Sequence, residues 1–177
     1  AMGRAMDDVI ITAASATAFT GETGATSTAA QTAIAAGGAG LTIAKLRTAK
    51  QTFDLASVDP SIPRHIVVGP EQITNLLSTT EVTSSDFNTV KALVQGEIDS
   101  FLGFKFTVSN RLAKSGNDRT CIAFAQDGIT LAIGKDVSAR IDERADKSYA
   151  TQVYYCQSIG ATRMEEAKVL GIVCQEA

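Results

Sequence analysis

A chain of 177 residues with 45% hydrophobic content is long enough to bury one substantial core, or to form two small lobes sharing one sheet. Its formal net charge of -3, from 16 basic and 19 acidic residues, provides no broad positive field of the kind that draws a protein onto DNA or an anionic membrane. The cysteines Cys121, Cys156 and Cys174 form no CxxC pair, and an odd number cannot close a complete disulfide framework, which fits a reducing compartment.

In chain order, Met2, Met6, Val9, Ile10, Ala13 and Ala14 form one apolar helical stripe. That helix opens without a Ser, Thr, Asp or Asn cap, so the expectation is that further sequence precedes it. From Phe19 to Gly40 the chain is rich in Gly, Ala and Thr and reads as a long, mobile loop. The near-apolar stretch Ala25 to Ala44 has side chains too small for a membrane span. Ile43, Leu46, Ala49, Phe53 and Ala56 then predict an amphipathic helix over about Thr42 to Val58, ended by Pro60 and Pro63. Ile66-Val67-Val68 predicts a buried strand, and Gly69-Pro70-Glu71 starts a helix running to about Thr79. A further helix begins after Ser85, with Phe87, Val90, Val94 and Ile98 on one face.

The period then changes to two. Phe104, Phe106 and Val108 alternate with polar residues, which predicts a half-buried strand. Ala113 to Arg119 reads as a loop. Cys121 to Ala125 and Ile129 to Ile133 flank Gln126-Asp127-Gly128, the signature of a hairpin turn. Between Val137 and Ala145, Val137, Ala139, Ile141 and Glu143 share one face, and Ser138, Arg140, Asp142 and Arg144 the other. Two last strands, Thr151 to Ser158 and Ala167 to Cys174, are expected to join around Gly160. Helices first and strands last predict an α+β class.

No catalytic constellation emerges. The only histidine, His65, has no Cys or His at metal-ligand spacing and is assigned to structure. No Gly-x-Ser-x-Gly elbow presents a serine nucleophile. Gly128 to Lys135 imitates a phosphate loop, but its interior is apolar, its spacing is one too long and Asp136 replaces the Ser or Thr needed for magnesium. The three cysteines lie among apolar neighbours and are read as core thiols. Between Lys135 and Lys168 stand six charges of each sign, either a solvated face or a surface that fixes register between subunits.

The order of several blocks carries a resemblance. Gly3-Arg-Ala-Met-Asp-Asp-Val-Ile-Ile11 with Thr17 to Gly21 resembles the end of the spine helix and the following loop of phage major capsid proteins of the HK97 type. Arg64 to Leu77, Thr83 to Ile98, Phe101 to Phe106 and Ser109 to Leu112 are similar to successive segments of that family. So are Ile141-Asp-Glu-Arg144, Gly160-Ala-Thr-Arg163 and Val169 to Cys174. The resemblance spans roughly Gly3 to Gln175.

It implies an HK97-like α+β fold with a mixed or antiparallel sheet and a few flanking helices. Residues 1–18 would end the spine helix of the P-domain, 19–40 form a loop, 41–135 make up most of the A-domain, and 136–177 return as strands through the P-domain. The implied function is a self-assembling shell subunit rather than an enzyme, without cofactor or metal, located in the virion and assembled in the bacterial host cytoplasm. Its partners would be further copies as hexamers and pentamers, with scaffold and portal proteins, around DNA that is enclosed but not specifically bound. Arg140, Asp142, Glu143 and Arg144 are the candidate interface residues. Rival readings are an encapsulin-like nanocompartment shell and a small-molecule-binding or enzymatic α+β domain.

Overall fold

A computed structural model describes residues 2–28, 34–78 and 100–176. The helix expected after Ser85 lies outside the described residues.

Helix α1 (Met2–Ser15) is followed by a short hairpin, β1 (Ala18–Thr20) and β2 (Thr26–Thr28), where the sequence suggested only a loop. Its turn is made by Gly21 and Gly24 in left-handed conformations, which glycine adopts without a side-chain clash. Ile34 then lies parallel to Ile172, extending the edge of the main sheet.

Helix α2 (Ile43–Leu55) buries Ile43, Leu46, Ala49 and Phe53 at helical spacing. The Thr42 hydroxyl caps it by accepting from the Lys45 amide. It stops before either proline. Ser57 takes a left-handed φ of 56°, the Val58 amide donates to the Phe53 carbonyl and the Ser57 amide to that of Asp54. This is a Schellman end, closed by apolar Val58 and Phe53, both buried. The prolines therefore shape the following loop, not the terminus.

Strand β3 (Arg64–Val68) feeds α3 (Pro70–Ser78), as Pro70 at the first turn and Glu71 near the positive helix end imply. The remaining strands are β4 (Ser100–Phe101), β5 (Phe104–Val108), β6 (Lys114–Ser115), β7 (Asp118–Ala125), β8 (Ile129–Arg144), β9 (Ala150–Arg163) and β10 (Val169–Gln175). The main sheet has the order β10-β7-β3-β5-β4, with β6 beside β7; β3 and β5 are parallel and the other neighbours antiparallel. Phe53, Leu46, Ile66, Phe104, Leu76, Leu170 and Ile172 form the centre of its core.

Two expected hairpins are absent. Gln126-Asp127-Gly128 does turn, with the Gly128 amide donating to the Ala125 carbonyl, but β7 and β8 do not pair. Instead the chain leaves the main sheet there and β8 pairs with β9 in a separate two-stranded ribbon. Glycine at 128 answers a close approach, since a Cβ there would sit 2.9 Å from the Lys168 carbonyl oxygen. Likewise Gly160 does not join the last two strands: it lies inside β9, opposite Ala132, while β10 returns to β7.

Candidate assembly surface

The ribbon is built on one buried cation. Arg163, the last residue of β9, has a fully buried side chain that donates to the Ala14 carbonyl near the end of α1 and to the Thr28 carbonyl of β2. A guanidinium at a helix C-terminus meets free carbonyls and the negative end of the helix dipole. Helix, small hairpin and ribbon are thereby fixed at one point. Beside it, Lys168 binds Asp127 at 2.6 Å and Glu165 at 2.8 Å, tying the start of the ribbon to its end. These two carboxylates hold the Lys168 ammonium up at about 12.

From this base the register runs Ile129 with Arg163, Leu131 with Ala161 and Ile133 with Ile159. Two irregularities follow, between Ile133 and Lys135 and between Lys135 and Ser138; each inserts an extra residue on β8 while β9 continues evenly. Beyond them Ser138 faces Cys156, Ala139 faces Tyr155, Arg140 faces Tyr154, Ile141 faces Val153 and Asp142 faces Gln152. Paired residues share a side of an antiparallel ribbon and neighbours alternate.

Of the four candidate interface residues, three therefore stand together. Arg140, Asp142 and Arg144 occupy one face, and Glu143 the opposite one with Ala139 and Ile141. Arg144 is bound locally to Asp146, with Nε at 2.9 Å and an exposed partner at either end. The polar face holds a groove of about 340 Å³ lined by Lys135, Ser138, Arg140, Asp142, Gln152 and Tyr154.

Cys156 belongs to this polar face, which corrects its assignment to the core. Its Sγ lies 3.0 Å from Ser138 Oγ, and the hydroxyl together with the Lys135 ammonium holds the thiol below its usual value. Cys121 and Cys174 are fully buried, and hydrogen bonding to Cys174 with burial pushes Cys121 up. His65 stacks on Phe124 at 5.6 Å between ring centroids, and burial, with Lys105 opposite, lowers its pKa. Gly128 to Lys135 runs from a turn into β8 rather than around a phosphate. Among the described residues no group of three or more His, Cys, Asp or Glu gathers to hold a metal, and no helix is long and apolar enough to cross a membrane.

Sequence reasoning passed over Arg163 and the tyrosines. Arg163 sits among charged neighbours and carries no burial signal of its own. A usable signal did exist for the tyrosines: all three in the chain, Tyr149, Tyr154 and Tyr155, cluster at one end of the ribbon, each at least half exposed.

Comparison with known proteins bears on this arrangement. A family model described as "Phage capsid protein" matches residues 1–176. Among solved structures, the chain is similar to one from Mycobacterium phage Che8, at 19% identity and a TM-score of 0.65, covering 97% of this chain and 57% of that one. The capsid of Ralstonia phage GP4 gives 9% identity and a TM-score of 0.71, covering 99% and 64%. The capsid of cyanophage Pam1 gives 14% and 0.69, covering 99% and 66%. The chain thus spans roughly three fifths to two thirds of these relatives. No curated protein matches it significantly.

Proposed function

Since the chain belongs to the phage capsid protein family and has the HK97-type coat fold, we propose that it is a structural tile of a phage head rather than a catalyst. Copies of the whole protein pack as hexamers and pentamers into a closed icosahedral shell around the genome, within the virion. The single observation that carries this reading is the family match over essentially the entire chain, on a fold shared with capsid subunits. The family model that matches is one of phage capsid proteins, which favours a head over a nanocompartment. Weak contacts suffice in such an assembly, because each is repeated over a closed lattice.

In this reading the main sheet forms the A-domain and takes β10 out of the 136–177 stretch expected to return through the P-domain, because β10 pairs with β7; α1 with the ribbon forms part of the P-domain. Arg140, Asp142, Glu143 and Arg144 make ion pairs across subunit or domain borders, where mixed charge fixes register without a strong net field. Electron microscopy of the complete protein, expressed with any scaffold it needs, is expected to show closed icosahedral particles; a protein that remains monomeric throughout would refute the assignment. Reversing charge with Arg140→Glu and Arg144→Glu is expected to lower particle yield several-fold. Unchanged yield would return these residues to a solvated face.

A further inference from the structure

We infer that the thiols of Cys121 and Cys174 form a two-coordinate site for a soft monovalent cation, copper(I) foremost, inside the core of the main sheet. The inference is independent of the shell reading.

Strand register places the two sulfurs. Cys121 of β7 stands opposite Ile172 of β10, and Cys174 stands opposite Arg119, so the cysteines are diagonal neighbours two residues out of step. Residues two apart on a strand share a face, so both thiols enter the same side of the sheet. Both are fully buried. They also touch: Cys121 donates to the Cys174 sulfur, which keeps the proton on Cys121 and makes Cys174 the more acidic of the two.

The same offset decides what can join them. Diagonal Cα atoms of an antiparallel pair lie about 7–8 Å apart, whereas a disulfide spans about 4.4–6.8 Å and draws its sulfurs to about 2 Å. A metal bridge is longer. With metal–thiolate bonds of about 2.3 Å, an in-line S–metal–S unit holds its sulfurs about 4.6 Å apart. Two touching thiols reach that spacing by small side-chain rotations, without moving either strand.

Ligand type and number narrow the cation. Thiolates are soft ligands that select copper(I), zinc and iron–sulfur clusters. Zinc asks for four ligands in a tetrahedron, and among the described residues no third His, Cys, Asp or Glu gathers with this pair. A monovalent ion with a filled d shell takes two thiolates in line and needs no more. On binding, two thiol protons leave, one copper(I) enters and no electron moves, so the site gains one net negative charge. A countercharge already stands beside it. Lys45 on α2 is 8% exposed, and its three acceptors are the neutral carbonyls of Ala39, Gly40 and Val173, the last adjoining Cys174. An anion there compensates a buried ammonium that carbonyls only solvate. After the bond from Cys121, Lys45 is what draws Cys174 toward thiolate, and the Gly69 amide favours the Cys121 thiolate in the same way.

Anaerobic titration of the reduced 177-residue chain carrying Cys156→Ser counts the site, with copper(I) supplied as its acetonitrile complex against bicinchoninate as competitor. The expected result is one copper(I) per folded chain, X-ray absorption showing two sulfur neighbours with no nitrogen or oxygen, and a melting temperature that rises with free copper(I). Cys121→Ser and Cys174→Ser should each weaken binding by at least about a hundredfold, the upper end of what loss of an outer-shell partner costs. Should either variant fail to fold, the absorption spectrum and melting shift of the Cys156→Ser chain decide the matter alone. Diamide should leave the mass of the reduced chain unchanged, since no disulfide closes. Absence of binding by the folded chain, three or more ligands or a ligand other than sulfur, full affinity in either serine variant, or a readily formed disulfide between Cys121 and Cys174 would each overturn the inference.

Discussion

Buried charge in this protein is placed where backbone carbonyls converge. Lys45 donates to the Ala39, Gly40 and Val173 carbonyls at 2.7, 2.9 and 3.0 Å, pinning the segment before α2 to β10. Arg163 does the same for α1 and β2. Replacing Arg163 by Met should cost about 2–3 kcal/mol, because at least two carbonyls lose a charged donor in a closed environment; urea denaturation measures it, and a change near zero would show that water substitutes there.

The buried carboxylate of Glu176 is held instead by side-chain donors, Arg119, Lys114 at 2.5 Å and Gln72 at 3.1 Å. These partners, Arg119 first, hold its carboxyl down at about 2 against an ordinary 4.5. A lowered folded-state value means that the unfolded chain binds the proton more readily in that window. The stabilisation is thus complete above about pH 4.5 and fades as pH falls toward about 2. Glu176→Gln should flatten that part of the stability profile, as followed by thermal unfolding across acid pH.

At the level of single elements, local signals explain most of what is seen. Apolar spacing of 3.6 residues produced α2, and an N-capping threonine set its start. The helix end was governed by a less visible device. Ser57 adopts a left-handed φ that normally belongs to glycine at this position of a Schellman motif. Ser57→Gly should therefore raise stability by about 0.5–1 kcal/mol, the relieved backbone strain outweighing the extra freedom of the unfolded chain; a fall in the chemical denaturation midpoint would contradict this. In β8 the alternation of Ala139, Ile141 and Glu143 with Ser138, Arg140, Asp142 and Arg144 is as read from sequence, whereas Val137, expected to start the same face, falls in the irregularity between Lys135 and Ser138. The pairing partner was not, because Asp-Gly at a turn reports a change of chain direction and says nothing about which strand comes alongside.

For the molecule as a whole, the core and the ribbon are separable. Every buried residue of the hydrophobic core lies outside the stretch between Ala125 and Val169, and Ile129 alone within it packs partly against that core. Shortening the ribbon by linking Gly134 to Ser158 through a tight turn should leave a cooperatively unfolding protein with the main sheet intact. Circular dichroism and a single sharp melting transition would establish this, whereas a molten product would show that the outer ribbon stabilises the centre.

The sequence by itself determined the class and the inward faces of α2, β3 and β5, since side-chain periodicity and capping act over a few neighbouring residues; the β1–β2 hairpin and β6 fall where it read only loops. Resemblance of ordered blocks further identified the family later matched over residues 1–176. Only the tertiary structure decided that β8 leaves β7 for β9, that β10 returns to the centre, that Cys156 stands on a polar face and that Arg163 is buried. Strand partners are chosen by burial summed over residues far apart in the chain, and the burial of one arginine depends on carbonyls 135 and 149 positions away. No local pattern encodes either.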